Sequence, residues 1–199
     1  MLLDAEDCQL VLVDYQAKLV PFIHEGSLVV GNGVRLAKIA RLLDVPVWGT
    51  EENPQGLGPN VPEIKALCQR TLEKMHFSAC ADGLLDLLRP PVRQGGNVRS
   101  LPKHLQKKPE EQSQPSSVVI AGCETHVCLM QTALELLENE FEVWVVTDAC
   151  GSRTERNRDA AFDRLAGAGC DLVTTEMVAF EWLRTADHPA FKEVLQLVK

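Results

Sequence analysis

Residues 118–133 read VVIAGCETHVCLMQTA. The run 118–121 is apolar throughout, which suits a strand buried on both faces. Gly122 marks a tight turn, and residues from Thr125 onward read as a helix with Cys128 in its first turn. A thiol in that place meets unpaired backbone N–H groups and the positive end of the helix dipole, both of which favour the thiolate. The same N–H groups can hold a developing oxyanion. A free cysteine is also well suited to being a small buried hydrophobe, so position alone leaves both roles open.

Working outward, the same rhythm recurs. Strand patterns fall at 9–13, 45–49, 70–73, 118–121, 142–146 and 171–174. Helical patterns fall at 26–43, 81–88, 125–138, 156–166, about 177–183 and about 189–198. In the first of these, Leu28, Leu36, Ile39, Ala40 and Leu43 lie near one side, and Gly167 and Gly169 close the helix at 156–166. Strand alternating with helix predicts an α/β fold: a three-layer α/β/α arrangement on a mainly parallel, six-stranded, Rossmann-type sheet. Such sheets bind ligands beyond the carboxyl ends of their strands, at the point where the strand order reverses. Asp14, Thr50, Glu51, Lys74, residues 124–128 and Asp148 all fall at those ends, so the reactive side chains are expected along one edge.

A length of 199 residues predicts one domain, spanning 1–199. The net charge of −8 argues against a nucleic-acid binder, which would carry a basic field. No run of eighteen apolar residues marks a membrane helix. The opening MLLDAEDCQLVLVDYQ is acidic where a signal peptide would be basic, so a cytoplasmic location and no membrane partner are expected. Seven cysteines, at 8, 68, 80, 123, 128, 150 and 170, form no CxxC pair and have no histidine at zinc-finger spacing. They read as reduced, mostly structural thiols, and no metal or cofactor is expected. Residues 89–117 break the rhythm with five prolines and six Lys/Arg. That composition reads as a solvated surface loop or as a basic lid over the strand ends.

Cys128 needs a base. His126 is nearest, but residues two apart on a helix point in different directions. His24, His76, His104 and His188 have no stronger claim. Asp14 directly follows an apolar strand, where an isolated carboxylate is costly unless it is paired or at the sheet edge. It reads either as a turn or capping residue, or as the partner of a lysine at a neighbouring strand end, which would favour its ionised form.

Three motifs in order, LVLVDYQ, the lysine of EKMHFSAC, and AGCETHVCLMQTA, resemble the isochorismatase-like cysteine hydrolases, a superfamily that includes nicotinamidases and N-carbamoylsarcosine amidase. TEENPQGLGPNVPEI and DACGSR look like an uncharacterised branch of it, and the resemblance covers about 8–176. It implies a triad of Asp14, Lys74 and Cys128. Cys128 would be the nucleophile. Asp14 would take the thiol proton and pass it to the leaving amine, and Lys74 would hold Asp14 and lower the thiol pKa. It also implies a cis peptide at Cys123–Glu124 and an oxyanion hole formed by the N–H groups of Glu124 and Cys128. Gln16, Glu51, Phe77, Cys123 and Thr125 are the residues placed around the pocket. The carboxylates of Glu51, Glu52 and Glu124 either select polar or cationic groups there or are solvated loop acids.

The metal-binding nicotinamidases carry Asp-x-His after the second strand. Here that place reads GTEENPQGLG, with no histidine, so the resemblance implies neither a metal nor nicotinamide. The resulting expectation is a homo-oligomeric, cofactor-free hydrolase that cleaves an amide or related C–N bond of a small molecule through a thioester. Two alternatives stand beside it: a non-catalytic scaffold of the same fold, and a redox thiol protein with Cys123 as the resolving thiol.

Overall fold

Six strands carry the core: β1 (Cys8–Val13), β2 (Val47–Glu52), β3 (Arg70–Lys74), β4 (Ser117–Cys123), β5 (Glu142–Gly151) and β6 (Asp171–Val173). The computed structural model describes residues 2–90 and 115–199. All pairings are parallel, in the order β3-β2-β1-β4-β5-β6. β1 and β4 are buried along their whole length, as their unbroken apolar runs require.

The helices are α1 (Gly26–Leu42), the single turns α2 (Pro54–Leu57) and α3 (Pro62–Lys65), then α4 (Leu84–Leu88), α5 (Met130–Glu138), α6 (Glu155–Ala168), α7 (Thr175–Leu183) and α8 (Phe191–Val198). α1 packs with α3, α7 and α8 on one side, while α5 and α6 pack together on the other. The expected three-layer α/β/α fold is therefore the observed one. Among the described residues no helix is long and apolar enough to cross a membrane.

From β1 the chain steps outward through β2 to β3, then returns to place β4 on the other flank of β1. The loops leaving β1 and β4 therefore diverge and open a crevice between them. At the end of the β1–β4 pairing, Gly122 lies opposite Val13. Its φ is +143°, and a Cβ there would lie 2.0 Å from the Val13 carbonyl oxygen, so only glycine fits.

Several elements differ from the sequence reading. β2 runs 47–52 instead of 45–49, so Glu51 and Glu52 lie inside the strand and point to opposite faces. β5 continues to Gly151 through a register shift between Ile120 and Gly122. Asp148 thus lies within a strand, not at its end. Its Oδ1 accepts from the Thr175 N–H and hydroxyl at 2.8 and 3.0 Å, which ties it to the start of α7 and removes it from the expected cluster at the sheet edge. The helix expected at 81–88 is broken at Gly83, where φ is 104°. On α1, Leu28 is exposed; Val29, Leu36, Ala37, Ile39 and Ala40 form the buried face. Most of the expected lid falls on 91–114, outside the described residues. At its edge, Arg89 donates to the carbonyls of Asn139 and Glu140 and stacks on Phe141.

Candidate active site

The crevice at the β1–β4 switch point brings a carboxylate, an ammonium and a thiol together. Asp14 leaves β1 in a left-handed conformation, with φ 49°, a region that aspartate tolerates better than most side chains. It is fully buried. Its N–H donates to the Thr50 carbonyl at 3.3 Å, and its Oδ1 accepts from the Thr50 hydroxyl at 2.6 Å. Lys74 ends β3, and its long stem carries Nζ to 2.8 Å from Asp14 Oδ2.

A second carboxylate shares that ammonium. Glu52 Oε2 lies 2.7 Å from Lys74 Nζ, and the ammonium also donates to the carbonyls of His76 and Phe77 at 3.3 and 3.2 Å. Burial acts to lower the Lys74 pKa. The charge of Asp14, with the hydrogen bonds to Asp14 and Glu52, outweighs it and raises the group above its ordinary 10.5.

Cys128 lies in a single π-helical turn, Thr125–Leu129, that joins β4 to α5. Such turns occur often at functional sites. Its sulfur and one carboxylate oxygen each from Asp14 and Glu52 lie within 4.8 Å of one another. Burial pushes the thiol well above its ordinary range, and the Asp14 charge pushes it further, while Lys74 pulls the other way. This runs against the thiolate-favouring effect of the helix-start position. Two carboxylates and one ammonium give the site a net charge of −1, and a thiolate would add a second unbalanced negative charge. Burial and the neighbouring carboxylates therefore work against a thiolate here. The position between the two carboxylates, where a cation would bind, holds the Lys74 ammonium.

The peptide bond Cys123–Glu124 is cis. The Glu124 carbonyl accepts from the N–H groups of Val127 and Leu129 at 3.0 and 3.3 Å, and its carboxylate accepts from the Arg153 backbone and side chain, both at 3.0 Å. Thr125 is fully buried, and its hydroxyl has no hydrogen-bond partner among the described residues. Cys123 is buried, which raises its thiol pKa well above the ordinary value. His126 turns aside to Ser152, with Nδ1 3.0 Å from the hydroxyl.

The remaining residues placed around the pocket are engaged as follows. Gln16 donates to the carbonyls of Glu52 and Gly58 and accepts from the Glu52 N–H, so it clamps the strand that carries Glu52. Glu51 faces away, accepting from the Asn60 N–H at 2.8 Å and pairing with Lys65 at 3.0 Å. Phe77 contributes its carbonyl to Lys74, while its ring is exposed. Sequence reasoning did not connect Thr50 to Asp14 or Glu52 to Lys74. The adjacent acids Glu51 and Glu52 were a signal, because in a strand one of any such pair must face each side. Which one faces the lysine depends on the β2–β3 register, which sets Glu52 opposite Lys74.

Residues 99–177 match the isochorismatase domain family. The chain is 39% identical over 194 residues to isochorismatase domain-containing protein 2 of Rattus norvegicus, spanning 98% of this chain and 82% of that protein. Among solved structures, MAR1 ribonuclease from Caenorhabditis elegans superposes with a TM-score of 0.84 at 30% identity, covering 100% of this chain and 92% of that one. YcaC from Pseudomonas aeruginosa, solved with hexane-2,5-diol and covalent acrylamide, has a TM-score of 0.81 at 27% identity over 98% and 91% of the two chains. YcaC of Escherichia coli, an octameric hydrolase of unknown specificity, has a TM-score of 0.77 at 26% identity over 98% and 95%.

Proposed function

This chain belongs to the isochorismatase domain family, and from that premise we propose that it is a cysteine-dependent hydrolase that cleaves an amide or related C–N bond of a small molecule. The observation that carries the reading is the convergence of Asp14, Lys74 and Cys128 in one buried crevice, from three separate strand ends. A structural role for a lone thiol would not require a buried carboxylate with its own hydroxyl donor and ammonium beside it.

The charge state of the site suggests how the thiol is activated. Moving the Cys128 proton to Asp14 leaves the net charge at −1, whereas releasing it to solvent would make it −2. Asp14 is therefore the base, and attack and proton transfer proceed together. The thiolate forms a C–S bond at the substrate carbonyl, and the oxyanion is received by the N–H groups of Glu124 and Cys128. Asp14 returns the proton to the leaving amine as the C–N bond breaks. Water, deprotonated by the same carboxylate, then hydrolyses the thioester and restores the thiol. Throughout, Thr50 and Lys74 hold the two oxygens of Asp14. The covalent acrylamide on the P. aeruginosa relative is consistent with an electrophile-accessible site in this family.

The E. coli octamer supports a homo-oligomer here as well. The name of the C. elegans relative raises a polynucleotide substrate instead, but the −8 charge of this chain opposes binding a phosphate backbone. The test is a panel of small amides and ureido compounds with wild-type protein and Cys128→Ser. Wild type should show an acyl adduct on Cys128 by intact mass, and the variant should lose at least about 1,000-fold in rate. Hydrolysis by the variant within about tenfold of wild type would overturn the reading.

A further inference from the structure

Glu52 is not one of the three reacting residues, yet it holds the Lys74 ammonium as closely as Asp14 does, at 2.7 against 2.8 Å. Three features place it there. The register sets Glu52 opposite Lys74. Gln16 grips both the N–H and the carbonyl of its backbone. Its side chain is 11% exposed while that of Lys74 is 0%, so Glu52 forms the solvent-side wall of the ion pair.

Resting on the hydrolase reading above, we infer that Glu52 is a positioning residue: it fixes Lys74 between two carboxylates, keeps Cys128 protonated at rest, and turns anionic substrates away from the thiol. Three groups face it: Lys74 from β3, Asp14 from the end of β1, and Cys128 from the π-turn. Further out, His76 is paired with Asp82 and Glu124 with Arg153.

Without Glu52, Asp14 and Lys74 balance and the thiolate forms in a neutral site. With it, the thiolate is a second unbalanced negative charge. A carboxylate oxygen within 4.8 Å of the sulfur, taken at that limit and at an effective dielectric of about 20 to 40, displaces a thiol titration by roughly one to two and a half pH units. The same excess charge repels a carboxylate or phosphate brought against Cys128. The accepted substrates are then neutral or cationic next to the scissile bond.

The probes are iodoacetamide, which is neutral, and iodoacetate, which is anionic. Modification of Cys128 in the full chain is followed by mass spectrometry at a fixed mildly alkaline pH. In wild type, iodoacetate should be slower relative to iodoacetamide than it is with free cysteine, by about tenfold or more. Glu52→Gln should raise the iodoacetamide rate at least about tenfold and bring the ratio of the two reagents toward that of free cysteine. Glu52→Asp keeps the charge and should keep the wild-type ratio. Equal rates and ratios in wild type and Glu52→Gln would overturn the inference. So would a wild-type ratio equal to that of free cysteine, which needs no variant to fold. The hydrolase reading fails on a different result, retained hydrolysis by Cys128→Ser, whatever these ratios show.

Discussion

Replacing Lys74 by methionine keeps most of the side-chain volume and removes the buried ammonium. The Lys74 side chain is 0% exposed, so water cannot take its place between Asp14 and Glu52. The two carboxylates, with oxygens within 4.8 Å, are left facing each other. At an effective dielectric of about 20 their repulsion is roughly 3–4 kcal/mol. The site can escape by binding one proton, and at pH 7 loading a carboxylate with a pKa near 4 costs about 4 kcal/mol. The smaller of these bounds the electrostatic loss, so the variant should be about 3–4 kcal/mol less stable at pH 7, in line with other broken buried pairs. The abandoned carbonyls of His76 and Phe77 add to the deficit.

The pH dependence has a definite sign. Escape takes up a proton, so the folded variant binds more protons than its unfolded chain and loses stability as pH rises. At pH 5 the proton costs only about 1.4 kcal/mol, and most of the deficit relative to wild type should vanish. In the wild type the Lys74 pKa is raised by folding. Its pairing contribution is therefore complete below about 10.5 and is lost only as pH climbs through the higher folded value. Urea unfolding followed by tryptophan fluorescence at pH 5 and about 7 measures both numbers, since Trp144 and Trp182 are buried. A variant within about 1 kcal/mol of wild type at pH 7, or a deficit that grows toward pH 5, would refute the reasoning.

Two further changes separate the scaffold from the chemistry. Gly122→Ala puts a methyl group 2.0 Å from the Val13 carbonyl at a φ of +143°, and no rotamer relieves a backbone clash. It should destabilise the fold by about 3 kcal/mol or more in urea, and a loss below about 1 kcal/mol would show that β1 and β4 can separate freely there. Thr50→Val keeps the side-chain shape and deletes the 2.6 Å donor to Asp14 Oδ1. A hydrogen bond to a charged group is worth about 1.5–3 kcal/mol, so kcat/KM on any substrate found should fall roughly ten- to a hundredfold. An unchanged kcat/KM would mean that Lys74 alone orients Asp14.

How much was legible in the sequence follows from range. The parallel sheet was, because LVLV and VVIA are apolar runs that only burial on two faces suits, and that property is local. The strand ends followed from it, and with them the placing of Asp14, Lys74 and Cys128 along one edge. Residues whose role depends on pairing between strands were not. Glu51 and Glu52 are neighbours with identical side chains. One pairs with Lys65 on the outside and the other with Lys74 in the crevice, because the β2–β3 register and the alternation of the strand divide them. Asp148 looked like a strand-end acid until the register shift in β5 carried it to the start of α7.

The thiol shows the same division. Its helix-start position argued for a thiolate, since the backbone dipole is a short-range property that a motif displays. The charge around it is set by side chains from β1, β2 and β3, brought within a few ångströms by tertiary folding alone. With Asp14 and Glu52 against a single Lys74, that assembly and burial push the thiol pKa up. The sequence determined where the Cys128 thiol would stand. The tertiary structure decided which charges surround it, because electrostatic energy depends on distances that the order of residues does not contain.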